Sequence, residues 1–305
     1  MAEARPLFSI VIPCYNYGHL LERAVDSVMA QGGEDWELLV VDDGSTDNTA
    51  QALEELHRKF PSPRFRSLRQ NNGGPSAARN TGIANTGGEF LIFLDADDQL
   101  EFDGLEIFRK ALADYPGADM VVAGHCAVNR DGTVRKHKGS IVPRDPLDRL
   151  AAYLLHKKLA LSNGATLMRR KIFDHYRYPE QFRAAEDIPL FAYALANFEV
   201  VSVPEVVLRV NKHEDSLRHD LDHAAAVGME LVEEIFDTGR LPPPLQRIKK
   251  SYKARRALSL FRTFYRAGEF SRARRYYRIA LTTAPLMALR WHHAKRALRA
   301  VVGDS

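Results

Sequence analysis

With 305 residues, 45% of them hydrophobic and 27% charged, the chain is long enough for one large domain with an appendage or for two domains, and its composition is that of an ordinary globular protein. No apolar stretch approaches the roughly 20 residues that cross a bilayer, and the first residues lack a signal-peptide core; Cys14 and Cys126 are too few and too far apart for a disulfide framework or a CxxC site, so a cytoplasmic protein is expected. The net charge of +4 hides a split: residues 245–305 hold 16 Lys and Arg against 2 acidic residues, a net of +14, while the rest of the chain sums to −10, which predicts an acidic body with a basic appendage and an anionic partner.

The first 125 residues alternate β-branched apolar runs with helical-period segments, the signature of βαβ units around a parallel sheet. The first strand is Phe8–Ile12, stopped by Pro13, and a helix follows over Leu20–Gln31 with Leu21, Ala24, Val25, Val28 and Met29 as its core stripe. A second strand, 37–41, runs into Asp42-Asp43-Gly44-Ser45-Thr46-Asp47, where glycine turns the chain and Ser, Thr or Asp caps the next helix. A short strand at 65–68 leads into Asn71-Asn72-Gly73-Gly74-Pro75 and a helix over 76–85. The fourth strand, 89–94, is apolar after its first residue, as a central buried strand should be.

Beyond it the pattern predicts a helix at 105–115, a strand at 120–123 and a turn at Asn129-Arg130-Asp131-Gly132. Residues 143–208 mix a helix at 147–158, a short strand near Thr166, a helix after Asp187 and two strands at 200–203 and 206–210, an α+β half completing the same domain. Pro242-Pro243-Pro244 marks a boundary with an extended connector. All that follows is helical: 246–267 and 270–283 flank Gly268 as a hairpin, and a third helix covers 286–302. The resulting division is a catalytic body at 1–222, with halves meeting near 125/126, and a basic helical region at 223–305.

Neither GxGxxG nor GxxxxGK[ST] occurs, which argues against a dinucleotide-binding dehydrogenase and a P-loop NTPase. Asp95-Ala96-Asp97-Asp98 instead places carboxylates where a buried strand leaves the sheet, the ligand-binding edge of open α/β folds. If the backbone stays extended, Asp95 and Asp97 share one side and present hard oxygens to Mg²⁺ or Mn²⁺; Asp98 belongs either to that site or to the turn. An isolated DxDD is more often a solvated acidic turn, but the neighbouring corners are polar too. Asp42 and Asp43 are placed to accept from a base edge or ribose, and Arg79 with Asn80 to reach phosphate.

Four segments in this order resemble glycosyltransferase family 2, whose catalytic domain has the GT-A fold, Rossmann-like with a mostly parallel sheet flanked by helices. They are Ser9-Ile10-Val11-Ile12-Pro13-Cys14-Tyr15-Asn16, Val41-Asp42-Asp43-Gly44-Ser45-Thr46-Asp47, Asn72-Gly73-Gly74-Pro75-Ser76-Ala77-Ala78-Arg79-Asn80-Thr81-Gly82 and Phe93-Leu94-Asp95-Ala96-Asp97-Asp98. The resemblance is clear over 7–110 and looser to about 220. It implies that Pro13, Tyr15, Asn16, Asp42 and Asp43 line the nucleobase and ribose, that Arg79 and Asn80 sit near the donor, and that Asp95, Ala96 and Asp97 hold metal and diphosphate. Cys14 stands where Thr or Ser is common.

Glu186-Asp187, at a helix start, looks like the family's Glu-Asp motif, with Asp187 as general base and Glu186 orienting it or touching an acceptor hydroxyl; alone, the pair would read as first-turn charge. His213 resembles a late histidine that approaches metal or diphosphate in relatives. The implied reaction is inverting transfer of a sugar from a nucleoside diphosphate donor, UDP first by family frequency, to a glycan or lipid-linked hydroxyl in envelope or exopolysaccharide synthesis. A sugar-phosphate nucleotidyltransferase would place a basic Gly-rich loop after the first strand, which Pro13–Gly18 does not provide. A non-catalytic module recruited by the tail would lack the carboxylates.

In the tail, Arg255, Arg256, Arg262, Arg266, Arg272, Arg274, Arg275 and Arg278 interleave with Leu258, Leu260, Phe261, Phe264, Tyr265, Phe270, Tyr276 and Tyr277. Two arrangements fit. Residues 246–300 either bury those aromatics in an anionic membrane surface, making the protein peripheral on the inner face of the cytoplasmic membrane, or pack them on the body or on a second subunit in a homodimer. The tail carries no nucleic-acid-binding motif.

Overall fold

The computed structural model describes residues 5–211, 227–290 and 295–297. Its centre is a nine-stranded sheet in the order β3-β2-β1-β4-β8-β6-β9-β5, with β7 paired to β6. The strands are β1 Phe8–Cys14, β2 Trp36–Asp42, β3 Phe65–Arg69, β4 Phe90–Phe93, β5 Gln99–Leu100, β6 Met120–Val128, β7 Val134–His137, β8 Thr166–Arg169 and β9 Val200–Asn211. The first four are parallel. Antiparallel pairing of β8 with β4 and β6 then joins a second, mixed half to them.

The period-two alternation of the strands builds two cores. Phe8, Ile10 and Ile12 of β1, Leu38 and Val40 of β2, and Phe90 and Ile92 of β4 face α1 (Gly18–Met29) and α4 (Gly104–Asp114). Val11, Leu39, Val41, Leu91 and Phe93 face the other way, onto α3 (Pro75–Ala84) and α6 (Asp187–Asn197). Helices on both faces explain why β1, β2 and β4 read as continuous apolar runs. Helix α3 lies close on β1 because Gly82 has no side chain: a Cβ there would sit 2.3 Å from Val11 Cγ1.

The two strands expected over 200–210 are one strand, β9, whose pairing with β6 shifts register around Gly124. The helix expected over 147–158 divides into α5 (Pro146–Ala151), capped by Asp145, and a π-helical turn, Ala152–His156. The three prolines do not form an extended connector. Pro243–Ile248 winds a 3₁₀ turn whose own Leu245, with Leu241 just before it, is buried in a cluster shared with α6 and α7 (Glu230–Ile235).

Helices α8 (Lys249–Arg266) and α9 (Phe270–Thr283) form the expected hairpin around Gly268, and α10 (Pro285–Ala288) covers its end. The aromatics turn inward: Phe264 stacks on Tyr276 at 5.4 Å, and Phe261 meets Tyr277 at 5.2 Å. That corrects the arrangement in which a bilayer buries them, because these rings already close a core of their own. Arg255 donates to the Leu155 carbonyl and Arg256 to that of Gly228, whereas Arg266, Arg272, Arg275 and Arg278 remain exposed. No helix among the described residues is long and apolar enough to cross a membrane. Cys14 and Cys126 are free and buried, and burial raises both thiols to about 11, away from reactive thiolate character.

Candidate active site

The chain corners after β1, β2 and β4 meet at one edge of the sheet. Asn16 adopts a left-handed φ of 57°, donates its N–H to Ser45 Oγ at 3.0 Å and accepts from the Thr46 N–H at 2.8 Å, which stitches the first corner to the second. Asp42 is buried and accepts from the Ser45 N–H at 2.8 Å and from Arg69 Nη1 at 3.0 Å. Asp43, also buried, accepts from Gln70 Nε2 at 2.7 Å and from the N–H groups of Gly73 and Gly74 at 2.9 and 2.8 Å. Both carboxylates therefore shape the protein's own loops first. Asp43 in particular fixes the Gly73-Gly74 turn, with φ +87° at Gly74, that starts α3. Tyr15 is exposed beside them and Pro13 partly so.

After β4 the backbone does not stay extended. The Asp98 N–H donates to the Asp95 carbonyl at 3.0 Å, so Ala96 and Asp97 form a turn that gathers the side chains of Asp95, Asp97 and Asp98 with ligand atoms within 4.8 Å of one another. Period two is thus not what brings Asp95 and Asp97 together, and Asp98 joins them. Ala96 is buried beneath the turn. Asn211, at the end of β9, holds it from outside: its N–H donates to Asp98 Oδ1 at 3.1 Å and its Nδ2 to the Asp97 carbonyl at 2.9 Å. Three carboxylate oxygens gathered in one turn are the hard donor chemistry that suits Mg²⁺ or Mn²⁺. His213 lies outside the described residues.

Arg79 links this turn to the second half of the site. Buried on α3, it donates from Nη2 to Asp95 Oδ1 at 3.0 Å and from Nη1 to Glu186 Oε1 at 2.6 Å, and its guanidinium lies 5.2 Å over the Tyr178 ring. Burial works against its charge, but the carboxylates of Asp95 and Glu186 outweigh burial and raise its pKa further, so it is always a cation. Asn80, one residue on, does not face this cluster. It clamps the loop ahead of α6, donating to the Tyr178 carbonyl and to Glu180 and accepting from the Tyr178 N–H.

Asp187 is the first residue of α6, a helix buried on nearly every side between the sheet and the C-terminal clusters. Burial pushes its carboxyl up to about 6, Glu186 adds to the rise, and Arg79 opposes it. Ala185, just before the pair, has a left-handed φ of 62°, a strained conformation for a residue with a Cβ that aims Glu186 and Asp187. Ala185→Gly is therefore expected to be near neutral in thermal denaturation, whereas Ala185→Val should lose about 1–3 kcal/mol because a β-branched residue tolerates that region least.

Asp95 and Asp187 open onto one cleft of about 330 Å³. Leu161, Ser162 and Asn163 line it beside them, and the buried Asn163 accepts from the Tyr178 hydroxyl at 2.7 Å, tying the cleft to the ring under Arg79. Its remaining wall contains His125 and His137, which sequence reasoning passed over. A signal existed. A tight turn at 129–133 sets the register of β6 and β7 and pairs 125 with 137.

Residues 9–177, more than half of the chain, match the family model described as Glycosyl transferase family 2. Glycosyltransferase GlyA of Streptococcus pneumoniae is 35% identical over 121 residues, which are 40% of this chain and 17% of GlyA, so the chain spans far less than two thirds of that relative. Among solved structures, S. aureus TarS 1-349 in complex with UDP-GlcNAc matches with a TM-score of 0.62 at 20% identity, covering 96% of this chain and 79% of the other. The mannosyltransferase PcManGT from Pyrobaculum calidifontis, in complex with GDP-Man and Mn²⁺, gives 0.59 at 19% identity, covering 99% and 86%. At those identities the likeness is one of fold: a curled mixed sheet of the GT-A type followed by C-terminal helices.

Proposed function

Because the chain belongs to glycosyl transferase family 2, we propose that it transfers a sugar from a nucleoside diphosphate donor, a UDP-sugar first, to a hydroxyl of a glycan or lipid-linked acceptor in envelope or exopolysaccharide synthesis, with inversion at the anomeric carbon. The observation that carries this reading is one cleft with an acidic turn on one side and the raised carboxyl of Asp187 on another, bridged by Arg79. Asp95 and Asp97, with Asp98 beside them, would hold Mn²⁺ or Mg²⁺. When bound, the ion supplies positive charge that offsets the negative charge building on the departing diphosphate. The donors in the two matched structures, UDP-GlcNAc and GDP-Man, and the Mn²⁺ of the second support this assignment.

Tyr15 and the edge of Pro13 take the nucleobase, in corners whose shape Asn16, Asp42 and Asp43 maintain. Asp187 accepts the proton of the acceptor hydroxyl as its oxygen bonds the anomeric carbon and the bond to the diphosphate breaks, the electron pair leaving with the diphosphate. Glu186 stays paired with Arg79 and is not free to form a covalent glycosyl intermediate, which favours a single displacement. Any contact with an anionic membrane then draws on exposed charge such as that of Arg266, Arg272, Arg275 and Arg278 rather than on the packed aromatics. A panel of nucleotide sugars incubated with the chain and Mn²⁺ should release nucleoside diphosphate from a UDP-sugar and release should stop on chelation; no release from any donor would sink the reading.

A further inference from the structure

The cleft has a third wall that the transfer chemistry does not use. His125 of β6 and His137 of β7 are directly opposite partners, their rings stack at 4.8 Å and 21°, and both line the cleft beside Ser162. Alternation puts them on the same face of the hairpin, while the neighbouring partners Cys126 and Lys136 occupy the other. These rings differ chemically from the carboxylates that line the same cleft. Asp95 and Asp187 present carboxylate acceptors, whereas an imidazole ring carries N–H donor chemistry. The exposed Arg135 shares the face of His125 and His137 by the same alternation, and no acidic residue occurs between Asp131 and Asp145.

We infer that His125 and His137 form a subsite for a phosphate group carried by the acceptor, which fixes the acceptor with its hydroxyl toward Asp187. The inference rests on the glycosyltransferase reading and specifies the acceptor within it: a phosphate-bearing glycan or lipid. Phosphate oxygens are stronger acceptors for imidazole N–H groups than a neutral sugar hydroxyl, and the exposed Arg135, two residues from His137, adds positive charge beside the stacked rings. The donor's own diphosphate could satisfy the same chemistry, so the test separates the two sources.

The full chain, saturated with UDP and Mn²⁺, is titrated calorimetrically with glycerol 3-phosphate and, separately, with glycerol. Glycerol 3-phosphate is expected to bind and glycerol not; His137→Phe, which keeps the ring stack and loses the N–H, and His137→Gln, a second variant on the exposed strand, should each weaken binding about tenfold, with UDP affinity unchanged. Absence of glycerol 3-phosphate binding, or binding indifferent to both variants, overturns the inference. A tenfold loss of UDP affinity instead assigns the pair to the donor, and binding of a neutral disaccharide preserved in His137→Phe makes it a stacking platform; either result overturns it. Donor cleavage is measured separately, so a chain that releases nucleoside diphosphate but ignores glycerol 3-phosphate refutes the subsite and leaves the enzymatic reading standing.

Discussion

Asp187→Asn is expected to lower kcat by about 10²–10⁴-fold while leaving donor affinity unchanged, because it removes the proton acceptor and little of the shape. The pH dependence carries the same signature. Asp187 works as a carboxylate, and with its carboxyl at about 6 the transfer rate should fall as pH drops through that value and level off above it. The stability effect runs the other way. The folded-state pKa is raised above the ordinary 3.8, so the native chain holds this proton more tightly than the unfolded one; the stability this contributes is complete below the unfolded value and lost as pH rises through about 6. Asp187→Asn, always neutral, should thus melt above the wild type at pH 7 while being nearly inactive. Thermal melts and single-turnover rates between pH 5 and 8 check both halves, and a variant that retains its rate removes Asp187 from the role of base.

Arg79→Leu should be the most damaging single change to the site. Its guanidinium is buried with Glu186, whose side chain is only 11% exposed, and removing the cation leaves that carboxylate uncompensated at a cost of about 3–5 kcal/mol. The arm to Asp95, whose side chain is 42% exposed, adds little to stability but sets where the acidic turn sits relative to α6. Losing Arg79 also removes a cation that counters the rise at Asp187, so the base becomes harder to ionise. Arg79→Lys restores charge without the two-pronged donor and should fold but transfer slowly. The double variant Arg79→Leu/Glu186→Leu should recover stability in denaturant titration and no activity. Recovery of both would show that the bridge serves the fold alone.

How much of this was legible in the sequence follows the range of the interactions. The βα alternation and the polar corners after β1, β2 and β4 are local patterns, and local patterns sufficed for the N-terminal sheet and for placing Asp95, Asp97 and Asp98 at its edge. The mechanism of their convergence was not legible, since extended backbone and a turn both suit the spacing and only the Asp98 N–H to Asp95 carbonyl bond decides. Arg79 read as a phosphate ligand from its position early in a helix; that it also pairs with Glu186, 107 residues away, is something no periodicity reports. Asp42 and Asp43 read as acceptors for a base edge or ribose, and nothing in their own segment shows that Gly73, Gly74 and Arg69 also reach back to them.

The tail shows the same limit from the other side. Helical spacing of the aromatics correctly marked one apolar face, but spacing does not say what covers it, and α8 and α9 cover each other. His125 and His137 are the instructive omission, because the turn at 129–133 and simple counting outward from it pair them without any structure.

Asp95 and Asp97 are expected to bind the nucleoside diphosphate through a divalent cation, and calorimetric titration of UDP into the full chain decides whether they do. Wild type and Asp187→Asn should bind UDP with Mn²⁺ present and lose about 100-fold or more of that affinity in EDTA, and Asp97→Ala should bind weakly in both conditions. UDP binding that is indifferent to Mn²⁺, or equally tight in Asp97→Ala, would contradict the account.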